Sequence, residues 1–284
     1  MRNNEDRFSA PDRTENSTAA VMSKNVESGL NFSVPTEIVD LPSAGKFYPP
    51  GHPLHGKSTV EIKFMTAKEE DILTSKSLIK KGVAIDRMLQ SLIVDKSIKV
   101  EELLVGDKNA LVVAARISGY GEDYDVSMNC PSCETKCKHN FNLSLVKPKE
   151  LKSLEELAVE ETEQGTFTTP LFKTQATVEC RLLTGKDEIS IMHEMELQKK
   201  NPNNVEKNST SQLKRAIVSV DGVTDRNQIT RFVDNLPALD ARFLRSLFRN
   251  INPELDMNQV FECASCGYEE EMEVPFTVEF FWPK

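Results

Sequence analysis

Two pairs of cysteines, Cys130-Pro131-Ser132-Cys133 and Cys263-Ala264-Ser265-Cys266, constrain this chain more than any other feature. A Cys-x2-Cys turn aims two thiolates at one point, and two such turns supply the tetrahedral sulfur cage that Zn2+ prefers. Cys133 and Cys263 stand 130 positions apart. A metal shared by the two pairs closes residues 134–262 into one loop and staples the two halves of the chain together. Four thiolates leave no coordination position for water or substrate, so such a site is structural. A redox dithiol is expected at the start of a helix after a parallel strand, a setting that neither pair offers. Free buried thiols are the remaining alternative. Cys137 and His139 lie close enough to the first pair to serve as alternative ligands; the pattern makes Cys137 a hairpin residue and His139 solvated. Cys180 fills an apolar strand position and is expected to be a small core residue.

Six cysteines without the apolar stretch of a signal peptide after Met1-Arg2-Asn3-Asn4 point to reduced thiols or metal ligands and to synthesis in the cytoplasm. No run of apolar residues is long enough to span a membrane. The formal net charge of -9 argues against a general nucleic-acid surface.

Residues 1–34 are too polar to offset the cost of ordering and read as an arm that is disordered or ordered by a partner. Residues 35–57 carry Pro35, Pro42, Pro49, Pro50 and Pro53, which forbid a helix. There Phe47 and Tyr48 read as an anchor, and His52 and His55 as solvated loop residues. A strand follows over Thr59–Met65, then a capping box at Thr66-Ala67-Lys68-Glu69 that opens a helix carrying Ile72 and Leu73 inward. A second helix holds Ile85, Met88, Leu89, Leu92 and Ile93. A third begins near Asp107, buries Leu111, Ala114 and Ala115, and breaks at Gly119-Tyr120-Gly121. Tyr124–Met128 leads as a strand into the first cysteine pair, and Phe141, Leu143 and Leu145 alternate on the way out. Residues 148–165 form an acidic connector, predicted as a short surface helix with Leu151, Leu154 and Leu157 on one stripe, ended by Gly165.

The second half repeats the first. Val60–Glu70 aligns with Val178–Glu188, placing Cys180 opposite Ile62 and Thr184 opposite Thr66. A polar insertion covers 201–210. Leu213, Ile217 and Val218 then answer Met88, Leu92 and Ile93 on a helix, and Asp221 answers Asp95. Asp240, Leu244 and Arg249 answer Asp107, Leu111 and Arg116. A strand at 259–262 enters the second cysteine pair. The expected fold is therefore α+β, built of internally duplicated strand-plus-helices units joined by a shared four-cysteine, zinc-ribbon-like hairpin layer. Its domains are a first repeat at 35–147, the connector at 148–165 and a second repeat at 166–284. Half a zinc site binds metal poorly and half a hairpin layer leaves its edge open, so the halves are expected to pair with approximate two-fold symmetry.

No catalytic constellation stands out: there is no Gly-x-Ser-x-Gly, phosphate-binding glycine loop or His-Glu-x-x-His, and His193-Glu194 lacks a second histidine. The C-terminal stretch gathers Phe276, Phe280, Phe281 and the sole tryptophan, Trp282, between Pro275 and Pro283. It reads as an extended aromatic tail that docks either on its own chain or on a partner.

Leu41-Pro42-Ser43-Ala44-Gly45-Lys46-Phe47-Tyr48-Pro49, Thr66–Thr74, Val105-Gly106-Asp107, Gly119-Tyr120-Gly121, the Cys-Pro-x-Cys turn and Phe280-Phe281-Trp282-Pro283 occur in this order along residues 35–284. In this the chain resembles the baseplate hub proteins of T4-type contractile-tailed bacteriophages. The resemblance implies a structural, non-enzymatic virion protein of the tail baseplate, assembled in the host cytoplasm through contacts with other baseplate and tail proteins. Cys130, Cys133, Cys263 and Cys266 alone carry over as a site, for structural Zn2+. A zinc-ribbon protein that binds nucleic acid or assists transcription is the alternative, resting on the cysteine pairs and on lysines around Lys136 and Lys138.

Overall fold

The computed structural model describes residues 33–157, 159–199, 208–275 and 278–281. Most of the expected arm at 1–34, most of the 201–210 insertion and Trp282 lie outside the described residues. The first half opens with β1 (Thr36–Asp40) and β2 (Thr59–Lys63), an antiparallel pair. Val60 and Ile62 face the core and their neighbours face water, as period-two alternation requires. Between the strands runs the proline-rich crossing, with Tyr48 and Leu54 buried. α1 (Ala67–Thr74) starts at the expected capping box, where the Thr66 amide and hydroxyl both donate to the Glu69 carboxylate. A short α2 (Lys76–Lys80) precedes α3 (Ala84–Leu92), which buries Met88, Leu89 and Leu92. Ile85 points outward instead, and Ile93 has left the helix to bridge Ile62.

The long helix α4 (Val105–Tyr120) stops at Gly121, whose φ of 83° suits glycine. β3 (Asp123–Asn129) and β4 (Lys136–Asn142) form the first cysteine hairpin. Phe141 and Leu143 are buried, but Leu145 is 62% exposed. The alternation fails there because the Asn142 side chain accepts the Ser144 amide and turns the chain into a 3-10 helix.

No helix forms in the described part of 148–165. β5 (Lys147–Pro148) is followed by a turn at 154–157, whose Leu154 and Leu157 pack onto the core, and by β6 (Glu160–Glu161). Three apolar residues among many glutamates hold a turn against a core but not an isolated helix.

β7 (Phe167–Pro170) and β8 (Thr177–Cys180) then lie beside β6. α5 (Gly185–Lys199) and α6 (Asn208–Ala216) lead into β9 (Ile217–Val220), which completes the order β6-β7-β8-β9. Ile217 and Val218 are therefore strand residues, not helical ones: Ile217 pairs with Cys180 and Val220 with Val178. Three β-branched residues in Ile217-Val218-Ser219-Val220 suit a pleated, half-buried edge. α7 (Arg226–Asp234), α8 (Ala238–Ile251), β10 (Leu255–Asp256), and the second cysteine hairpin of β11 (Asn258–Glu262) and β12 (Glu269–Glu273) follow. Val278–Phe281 form a 3-10 turn, not extended chain, with Phe280 and Phe281 buried. This described part of the tail packs on its own chain: the Arg116 guanidinium donates to the Phe280 carbonyl at 2.7 Å.

The result is a mixed α+β fold of eight α-helices and several small sheets among the described residues. None of those helices is long and apolar enough to cross a membrane. One large core draws on both halves, from Leu41, Ile62, Met88 and Leu111 to Val178, Ile217, Leu244 and Phe281. Backbone bonds also cross between the halves, from Val105 N–H to the Leu183 carbonyl and from Gly185 N–H to that of Leu103. Asp107 and Asp240, each in the first turn of a long helix, are fully buried. Asp107 accepts from the Ser43 amide and hydroxyl and from the Tyr48 hydroxyl; Asp240 accepts from the Lys173 and Thr174 amides. The Ser43 and Lys173 amides, both 2.9 Å from their acceptors, lie in the loops that leave β1 and β7.

Candidate metal centre

The two cysteine hairpins stand side by side over a small satellite core of Cys130, Phe261 and Cys263, with Met128, Cys137, Tyr268 and Met272 packed against it. The turns are built alike. Cys130 N–H donates to the Thr135 carbonyl at 3.0 Å and Cys263 N–H to the Tyr268 carbonyl at 2.8 Å. The Cys130 and Cys263 carbonyls in turn accept from Glu134 and Gly267 at 2.9 Å each. Each turn reverses on a residue with positive φ, 57° at Glu134 and 69° at Gly267. This is the strained conformation that glycine adopts without cost and glutamate does not. Below the tips the Gln259 side-chain amide clamps the first hairpin: its oxygen accepts the Asn142 amide at 3.1 Å and its nitrogen donates to the Asn142 carbonyl at 2.8 Å.

At the tips the Sγ atoms of Cys130, Cys133, Cys263 and Cys266 all lie within 4.8 Å of one another. The pairs that cross between hairpins, Cys130–Cys266 and Cys133–Cys263, are each 3.8 Å apart. Disulfide bonding needs about 2.05 Å, and all four are free thiols. A zinc ion with bonds of about 2.3 Å to four sulfurs needs edges of about 3.8 Å between them. The spacing and the all-thiolate donor set therefore fit zinc. Cys130 and Cys263 are buried, with Cys133 and Cys266 nearer the surface.

Without a cation the thiols compete for protons. Hydrogen bonds from the Thr135 hydroxyl and amide draw Cys133 down to about 6, and the Cys266 and Ser265 amides lower Cys263. The Tyr268 amide also pulls on Cys266, but the proton that Cys266 shares with Cys133, together with burial, pushes it up to about 12. A split of this kind is what a cluster of like groups shows when not all can ionise together. A divalent cation removes the conflict by taking all four as thiolates.

Among the described residues these cysteines are the one group of His, Cys, Asp or Glu side chains placed closely enough to share a metal. Cys137 is on β4, where its thiol reaches the Met128 carbonyl at 3.6 Å. His139 is half-buried, not solvated, with its ring 4.6 Å from Phe141 and 5.2 Å from Phe261. His52 is also half-buried, whereas His55 is exposed as expected. His52 stacks on Tyr48 and accepts the Leu54 amide, while a ring nitrogen of His55 bonds the Tyr48 carbonyl. Cys180 is fully buried, and burial pushes its thiol up to about 12. The Gln259 clamp was missed in the sequence, where its only signal is a long polar side chain beside Phe261 in a strand.

A family model described as T4 bacteriophage base plate protein matches residues 34–282 of the chain. No curated protein and no solved structure matches it.

Proposed function

Because the chain belongs to the T4 bacteriophage base plate protein family, we propose that it is a structural, non-enzymatic building block at or near the hub of the tail baseplate, its two cysteine hairpins locked by one zinc ion. The observation that carries the metal half is the meeting of four Sγ atoms from hairpins 130 positions apart. Cys130, Cys133, Cys263 and Cys266 hold the ion, which supplies cross-linking and no chemistry.

The two halves, 35–147 and 166–284, are read as copies of one unit joined by residues 148–165. In support, Thr66 with Glu69 is answered by Thr184 with Asp187, each carboxylate accepting from the threonine amide and hydroxyl. Asp107 and Asp240 catch equivalent loop amides, and the two cysteine turns share their hydrogen bonds. Residues 1–34 are assigned as an arm that contacts a neighbouring tail protein. The nucleic-acid reading loses support because the second hairpin carries Glu262, Glu269, Glu270, Glu271 and Glu273, charges that repel phosphate.

Metal analysis of protein purified under reducing conditions should find one zinc per chain, and Cys263→Ser should lose it and melt at lower temperature. Zinc-free protein with an unchanged melt for the variant would refute the metal half. Antibody labelling of purified tails should mark the centre of the baseplate; label confined to the sheath refutes the hub position.

A further inference from the structure

We propose that a second copy of this chain seats its β11–β12 hairpin in the groove beside α8, so that copies join head to tail. The groove is a cavity of about 560 Å3 whose floor is Leu182, Leu213 and Phe248. Arg245 and Arg249 line it one helical turn apart on α8. Both are exposed, and neither has a hydrogen bond or ion pair among the described residues. The carboxylates on the same walls are already engaged: Lys108 holds Glu188 at 2.9 Å, and Glu254 accepts from the Asn252 side chain. An apolar floor under two uncommitted guanidinium groups suits an occupant that is apolar at its centre and anionic around it.

The second hairpin presents such a face. Val260 is 63% exposed and pairs directly with Glu271. Glu262 and Glu269 are opposite each other on the same face, and Glu273 lies opposite Asn258. All four glutamates are exposed and lack ion pairs among the described residues. Like charges set directly across two strands weaken the pairing, so the hairpin keeps an arrangement that a cationic surface would relieve. Neither the arginines nor the glutamates find each other within one chain. The two faces differ, so the contact is heterologous: each copy offers a groove to one neighbour and a hairpin to the next, and the assembly closes as a ring or grows as a chain. This inference is independent of the metal reading, although both involve the same hairpin.

Sedimentation of the full chain across a concentration series tests it. Self-association should be present at about 50 mM salt and weakened at about 500 mM, where the screening length is a few ångströms. Arg245→Glu with Arg249→Glu reverses the groove's charge, and Glu271→Lys with Glu273→Lys reverses the hairpin's while leaving the cysteines alone. Each double variant should self-associate at least tenfold more weakly than the parent, with zinc content and circular dichroism unchanged. Mixed together, the two should co-assemble in alternation, the intact hairpin of the first entering the intact groove of the second and the reversed hairpin of the second entering the reversed groove of the first. Combining all four changes in one chain should restore association. A parent monomeric at low salt, double variants that associate like the parent, or a mixture that fails to pair would each overturn the proposal. So would a monomeric parent whose groove binds a different tail protein.

Discussion

Replacing Arg116 by methionine should be among the most damaging single changes in the molecule. Its side chain is only 2% exposed, yet it reaches three carbonyls: Phe280 at 2.7 Å, Gly121 at 2.6 Å and Asp123 at 2.9 Å. One guanidinium thereby ties the end of α4, the start of β3 and the 278–281 turn together. Methionine keeps most of the stem and removes all three donors, leaving a buried acceptor at Phe280 and part-buried ones at Gly121 and Asp123. Hydrogen bonds to a charged group are worth about 1.5–3 kcal/mol each. The desolvation that Arg116 already suffers offsets part of their sum, so the net loss is about 3–5 kcal/mol. With a urea dependence of about 3 kcal/mol per molar, the unfolding midpoint should fall by about 1–1.7 M. Arg116→Lys keeps the charge without the planar fork and should fall between parent and methionine variant. A midpoint within about 0.3 M of the parent for Arg116→Met would mean that the carbonyls find water and that the reasoning is wrong.

Three further substitutions test a contact between the halves, a strained turn and a buried carboxylate. Gly106→Ala puts a Cβ 1.6 Å from the Pro253 carbonyl oxygen, against backbone that cannot rotate away; it should cost about 3 kcal/mol or more in chemical denaturation, whereas Gly51→Ala meets nothing within 4 Å and tests the strain of positive φ alone. Burial alone would raise the Asp187 pKa, but the Arg181 fork and the Thr184 donors outweigh it and hold the carboxyl below its usual range. The folded pKa lies under the unfolded one, so this stabilisation is complete above about pH 4 and is lost as the pH falls through the folded value; Asp187→Asn should flatten that acid limb of a melting-temperature profile.

The parts of the fold legible in the sequence were those written in local code. The Cys-x2-Cys spacing, the Thr66–Glu69 box and the Gly121 stop act within a few residues and need nothing distant. The misread elements were decided elsewhere in the chain. Ile217-Val218-Ser219-Val220 has an apolar content that suits a helix or a strand, and only the ladder to β8 selects the strand. Leu154 and Leu157 sit in a turn because a core lies beneath them, not because their spacing is helical. Asp107 and Asp240 were visible as counterparts, but that both are buried acceptors for loop amides depends on where those loops return. The cysteines of the candidate metal centre could be named from four letters, while the Gln259 clamp beneath them depends on two hairpins being adjacent.

Cys130 and Cys266 are separated by 136 positions, and that distance sets a timetable. Either hairpin alone offers a metal two sulfurs, a grip that exchanges readily. The other two arrive only when the main core, with its many long-range contacts, has brought both hairpins to one end of the molecule, and folds of this kind form slowly. On the proposed zinc reading, tight capture of the ion is then a late event whose rate cannot exceed that of core formation. A metal-sensitive dye followed during refolding would act as a clock for the last stage of folding, and a subunit that has closed its cage is one that has finished folding.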